Sequence, residues 1–160
     1  MGADLYIRSL SGECRRKNHR NFKRWVAKRD LAIDDTRKKV CQDKVSLYHD
    51  KMYERGYFRD SYNSTSLMWR LGLSWWEDIG KMLDKDGNLT VEKALELKAI
   101  VRAKPLKLVA NLKELKDMHC NTEGLDPVKE WNDYYIQKKK DFIDFLDEAI
   151  RLRQPIYCSC

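Results

Sequence analysis

Residues 57–78 read YFRDSYNSTSLMWRLGLSWWED, and how this stretch divides between helix, strand and connection decides the fold class. Its second half carries helical signals. LMWRLGLSWW has the periodicity of short buried helices, and Ser74 and Glu77 have the spacing of a capping box, which satisfies free backbone N–H groups at a helix start. The first half, YFRDSYNSTS, mixes aromatic and polar residues and reads as a connection between helices. On that reading no sheet is needed in the middle of the chain.

Working outward, helical spacing continues on both sides. Upstream, Val40, Val45, Tyr48, Met52 and Tyr53 recur at mostly three- to five-residue intervals, with Gly56 as a stop. In CRRKNHRNFKRWVAKR, Phe22, Trp25 and Val26 share one side of a helical wheel. The opening ADLYIRSL is short and apolar, a strand or extended arm over residues 1–11. Downstream, DKDGNLT reads as a turn, with Thr90 capping VEKALELKAIVRAK. Pro105 breaks that helix or opens the next one, PLKLVANLKELKDM, with Leu108, Leu112 and Leu115 on one stripe. Gly124 then stops a helix, Asp126 caps the following one and Pro127 occupies its first position. Val128, Trp131, Tyr135, Phe142, Leu146, Ala149 and Ile150 keep one apolar stripe to about residue 153. The expectation is an all-α bundle of about six helices with its longest helices near both ends. It forms one domain over 1–160, and residues 154–160 read as a flexible tail.

Length agrees with one domain, since 160 residues can bury a sizeable core. No apolar run approaches the ~20 residues of a membrane helix, so no membrane association is expected and the cytoplasm is the default location. MGADLYI places Tyr6 where a myristoylation signal has Ser or Thr, so an acyl anchor is not expected. Cys14, Cys41, Cys120, Cys158 and Cys160 form an odd set, which argues for reduced thiols.

The net charge of +7 is unevenly spread. Residues 1–30 hold nine Lys/Arg against three acids, and residues 31–160 hold 23 against 22. Arg16, Lys17, Arg20, Lys23, Arg24 and Lys28 lie opposite the apolar side of their helix. Such a face contacts phosphates through salt-dependent counterion release, or else is simply solvated. No helix-turn-helix, RNA-recognition or zinc-finger signature accompanies it, so sequence-specific base reading is not expected. A second candidate is a nucleotide pocket in the quoted stretch. Aromatic rings stack on bases and arginines pair with phosphates, which singles out Tyr57, Arg59, Tyr62, Asn63, Trp69 and Arg70, with Trp76 beside them. The competing reading makes these residues core, with Arg59–Asp60 or Arg70–Glu77 as internal ion pairs.

Metal signals are weak, and neither a metal nor a cofactor is expected. His119–Cys120 and Cys158–Cys160 match no zinc module. DKDGNLT begins like a calcium loop with Asp84, Asp86 and Asn88, but its glycine falls at the fourth position and Leu95 stands at the twelfth. No nucleophile elbow, phosphate-binding glycine loop or His-Glu-x-x-His appears, so no catalytic residue is singled out.

MGADLYI and YFRDSYNSTSLMWRLGLSWW resemble an uncharacterised family of small bacterial and phage proteins. The resemblance implies a prokaryotic or viral origin and carries no activity. His49–Asp50, with His19 thirty residues earlier, is similar to the layout of the all-helical HD phosphohydrolases, but only as a bare dipeptide. The resulting expectation is a non-catalytic binding protein whose basic first helix engages nucleic acid or a nucleoprotein complex. The alternatives are a protein–protein inhibitor or adaptor that docks on a host protein complex, such as an anti-CRISPR-like phage protein, and a small-molecule or metal-dependent enzyme using the aromatic–Arg region.

Overall fold

Ala3, Leu5 and Ile7 are fully buried and alternate with partly exposed Gly2, Asp4 and Tyr6, the two-residue period of a strand with one face in a core. The structure, a computed structural model, describes residues 2–159; Met1 and Cys160 lie outside the described residues. Strand β1 (Gly2–Tyr6) is followed by helices α1 (Arg8–Asp30) and α2 (Asp35–Met52) and by strand β2 (Tyr57–Ser61). After the short helix α3 (Leu67–Arg70) come a π-helical turn (Trp75–Ile79) and a 3-10 turn (Gly80–Met82). Strand β3 (Asn88–Leu89), helices α4 (Val91–Ala103), α5 (Leu112–Asp117) and α6 (Pro127–Arg151), and strand β4 (Ile156–Ser159) complete the order.

The four strands form an antiparallel sheet in the order β2-β1-β4-β3. The all-α expectation is therefore overturned: the chain is mostly helical but of mixed α/β class. Two features hide the sheet from periodicity. Its strands are two to five residues long and pair with segments far away in sequence. In YFRDS the two buried positions are Phe58 and Asp60, so a carboxylate stands where the pattern calls for an apolar residue.

The tail expectation is overturned as well. Ile156 and Cys158 are buried, and β4 pairs with β3 through Asn88↔Tyr157 and Leu89↔Ile156. The expected helix from Pro105 is replaced by extended chain, and α5 is six residues long. Leu115 is buried there, whereas Leu108 and Leu112 stay exposed. Proline lacks an N–H and biases the residue before it to extended geometry, and Lys104 has φ −72° and ψ 127°. The arm read over 1–11 ends early, because α1 begins at Arg8.

Several local expectations stand. Thr90, Ser74 and Asp126 accept backbone N–H bonds as N-caps, and Pro127 occupies the first turn of α6. The return bond at Ser74 comes from Asp78, whose Oδ2 accepts the Ser74 N–H at 2.7 Å, rather than from Glu77. Helix α6 buries Tyr135, Phe142, Leu146 and Ala149 from its stripe.

Residues 6–57 form one compact unit, and residues 2–5 with 58–159 form another. In the first, α1 and α2 pack as an antiparallel hairpin, and the Ile7 N–H donates to the Gly56 carbonyl at 2.9 Å to tie its ends. Asn18 is buried in it and donates through Nδ2 to the Cys14 and Lys51 carbonyls, a polar pin of the kind that fixes helix register. In the second, α4 packs on α6, and Phe58 lies against Phe142 and Phe145 with ring centroids 4.5 and 6.1 Å apart. Val109, Leu115 and Tyr135 form a smaller apolar cluster with Leu106, Met118 and Trp131 against it.

Candidate functional site

Two features carry the sequence-predicted residues, one in each unit. The first is the basic face of the hairpin. Arg16, Lys17, Arg20, Lys23, Arg24 and Lys28 are all exposed. The side facing α2 holds Ser11, Asn18, Phe22 and Trp25, buried or partly so. Lys28 Nζ sits 4.5 Å from the Trp25 ring centroid; among the described residues no ion pair holds the other five cations. Residues 6–57 hold fifteen Lys/Arg against seven Asp/Glu, a net +8, while the rest of the chain holds seventeen against eighteen, a net −1. All of the molecule's excess charge thus belongs to the hairpin unit. At its tip, Leu31 and Ile33 are exposed apolar residues, with Val40 exposed nearby on α2.

The second feature is an open cleft of about 720 Å³ in the other unit. Its lining includes Tyr62, Trp69, Arg70, Leu71, Gly72, Ser74, Trp75 and Trp76 from the quoted stretch, and Lys104, Pro105 and Lys107 from the extended segment after α4. Two tryptophans face solvent here: Trp69 is 59% and Trp76 61% exposed. The Tyr62 and Trp76 rings stack with centroids 5.1 Å apart and planes at 30°. Gly72 takes φ +65° to end α3, with no atom within 4 Å of where a side chain would begin, which leaves that part of the cleft open.

Arg70 belongs to the cleft but not to its surface chemistry alone. It is 2% exposed, and its Nη1 pairs with Glu114 Oε1 at 2.8 Å. The guanidinium lies 5.1 Å from the Tyr135 ring centroid, and its Nε has no hydrogen-bond partner. Glu114 also accepts the Ala110 N–H, and that bond together with Arg70 holds its carboxyl below the usual carboxylate range. Burial pushes the Tyr135 hydroxyl and the Cys120 thiol up.

The extended segment is placed by side chains that stand in for a neighbouring strand. Lys107 N–H donates to the Arg70 carbonyl at 2.8 Å. Asn132 pairs with both backbone groups of Val109, and Lys139 Nζ donates to the Lys104 carbonyl. These bonds set Lys104 and Lys107 along one wall of the cleft, where no hydrogen bond or ion pair holds either ammonium among the described residues. Sequence reasoning missed both lysines; Pro105 between them was read as breaking one helix or opening the next.

Of the six residues singled out for a pocket, Tyr62, Trp69 and Arg70 come together. The other three do not line the cleft. Tyr57 packs at a tilt against Tyr6 and Tyr53, Arg59 meets Asp4 at 3.6 Å, and the Asn63 side chain closes a turn onto Thr65. Both expected ion pairs are replaced: Arg59 pairs with Asp4 rather than Asp60, and Arg70 with Glu114 rather than Glu77.

Asp60 is the buried organiser that the sequence concealed. Its Oδ1 accepts from Leu67 N–H at 2.9 Å and Lys138 Nζ at 2.8 Å, and its Oδ2 from Met68 N–H at 3.2 Å and Trp75 Nε1 at 3.0 Å. One carboxylate therefore starts α3, orients Trp75 at the base of the cleft and fixes α6 beside them. Burial opposes the charge on Lys138, but Asp60 and Tyr134 together outweigh it and raise the lysine above its usual value.

His49 and Asp50 are exposed and 3.5 Å apart, with His49 against the Phe22 and Tyr53 rings. His19 is exposed on α1. Asp84 Oδ1 accepts the N–H groups of Asp86 and Asn88, so its loop is self-capped, and these bonds lower the Asp84 carboxyl. Cys14, Cys41 and Cys120 are free thiols among the described residues, and the Cys158 Sγ lies 3.9 Å from the Ile156 carbonyl oxygen; Cys160, the other half of the Cys158–Cys160 pair, lies outside them. No described helix is long and apolar enough to cross a membrane. Compared with family models, with curated proteins and with solved structures, the chain shows no significant match.

Proposed function

We propose that the protein binds nucleic acid, or a nucleoprotein surface, through the basic face of its helical hairpin. The observation that carries this reading is the confinement of the whole charge excess to residues 6–57, with Arg16, Lys17, Arg20, Lys23 and Arg24 exposed and unpaired on one side of α1. Five or six phosphate contacts displace a comparable number of condensed counterions, so affinity falls steeply with salt. Fluorescence anisotropy with a labelled duplex should show a log–log salt slope of about −4 to −6. Reversing Arg20, Lys23 and Arg24 to Glu should weaken binding by more than about a hundredfold at low salt. Failure of the wild-type protein to bind any DNA or RNA at low ionic strength would overturn the reading.

A second reading, a protein inhibitor or adaptor, draws on the exposed apolar tip at Leu31 and Ile33, because surface apolar residues grouped at one end suit a protein contact. A stoichiometric partner that survives nuclease treatment and is lost in Ile33→Glu would favour it over nucleic acid.

A further inference from the structure

The geometry points to the cleft between Trp69, Trp76 and Lys104–Lys107 as a binding site for a nucleotide: a flat aromatic base stacked on exposed indole, with its phosphate met by the lysines. This goes beyond the hairpin reading and stands without it.

Three observations converge. First, Trp69 and Trp76 leave more than half of their surface to water, although indole is among the side chains that gain most from contact, and both border one cavity. Tyr62 holds Trp76 from one side in a near-parallel stack, which stiffens the indole and leaves a base able to extend the stack. Stacking of this kind accepts any base, because every base has a π face.

Second, cations outnumber acids at the rim. Lys104 and Lys107 are exposed and unpaired by hydrogen bond or ion pair, whereas Asp78, the one acid in the lining, already accepts the Ser74 N–H. An anionic group is therefore favoured at the lysine wall. Third, Arg70 lines the same cleft while its Nε lacks a hydrogen-bond partner. A buried unmatched donor is uncommon in a folded chain and calls for an explanation, of which a bound acceptor or water is one. A purely apolar occupant would leave the lysines without a role, and a simple anion would leave the indoles without one. A base joined to a phosphate uses both.

The base can arrive on a free nucleotide or within a single strand, and tryptophan fluorescence distinguishes the two. The full-length protein is titrated with nucleoside 5′-monophosphates in one arm and with a short single-stranded oligonucleotide in the other. Saturable quenching by the monophosphate, or by the oligonucleotide in the variant with Arg20, Lys23 and Arg24 reversed, supports the site, and the tighter of these two arms identifies the source. Oligonucleotide quenching in the wild-type protein does not count, because the hairpin carries Trp25 beside Lys28. Trp69→Leu and Trp76→Leu should each weaken binding about tenfold or more, the size of one base–aromatic stack. Lys104→Glu with Lys107→Glu, two exposed positions that leave the fold intact, should weaken the monophosphate but not the corresponding nucleoside. The hairpin variant with Arg20, Lys23 and Arg24 reversed should leave monophosphate quenching unchanged, so failure of the hairpin reading and failure of this one are separable. No saturable quenching in either arm up to millimolar ligand would overturn the proposal. So would monophosphate quenching that persists when Trp69 and Trp76 are both replaced.

Discussion

Asp60 shows what a single residue can decide. A buried carboxylate is expensive unless donors surround it, and here two backbone N–H groups, an indole N–H and a lysine ammonium share its two oxygens. Removing one partner leaves the other charge buried. Lys138→Met should therefore destabilise the fold by about 3–5 kcal/mol, and Asp60→Asn by a similar amount, because an amide turns one acceptor into a donor facing donors. The double variant Asp60→Leu/Lys138→Met should recover part of that loss, since it removes both buried charges together. Urea denaturation followed by circular dichroism measures all three. Single variants within about 0.5 kcal/mol of wild type would show that the network is not structural.

At the scale of elements, legibility followed the length over which a pattern repeats. Helix α6 runs 25 residues with Asp126, Pro127 and a continuous stripe, so its start, face and approximate end could all be read. The basic face of α1 was equally plain. The sheet was not, because β3 has two residues and β2 presents Asp60 to the core. The cleft was half visible: Trp69, Trp76 and Tyr62 were legible as an aromatic cluster, but Lys104 and Lys107 reach it through tertiary hydrogen bonds to Arg70, Asn132 and Lys139. Strand β4 lies within the stretch read as a tail, past the end of the α6 stripe at about residue 153. In the structure Arg153 takes the left-handed turn at φ 52°, and the Arg153 and Gln154 N–H groups bond back to Ile150 and Ala149, which aims the chain into the sheet. Since β4 lies between β1 and β3, ending the chain after Pro155 should strip two inner pairings and expose Leu5 and Leu89. We expect such a truncation to lose its cooperative thermal transition, while Ser159→Ala, at an exposed site on the same strand, melts like wild type. A truncated protein with an unchanged transition would mean that β4 is dispensable.

At the scale of the molecule, the two units differ in both charge and core. The second carries nearly balanced charge and a core of fully buried Leu, Ile and aromatic side chains. The hairpin unit carries +8 and, besides Ile7, buries only Ser11 and Asn18 from α1 and Cys41, Val45 and Met52 from α2 among its hydrophobic and polar side chains. Each buried large aliphatic side chain contributes roughly 1.5–3 kcal/mol, so few such terms oppose the mutual repulsion of its cations. The amides of α1 and α2 should therefore exchange with solvent faster than those of α6, as regions with sparse buried contacts do. A polyanion that binds the folded hairpin should change this selectively, since a ligand stabilises the state it binds. Native-state hydrogen exchange in low salt, with and without a DNA oligonucleotide, should show added protection concentrated over residues 8–52, fading as salt rises and absent when Arg20, Lys23 and Arg24 are reversed. Equal protection of α1 and α6 in the free protein would contradict the thin-core argument. Protection added uniformly along the chain would place the contact elsewhere than on the hairpin.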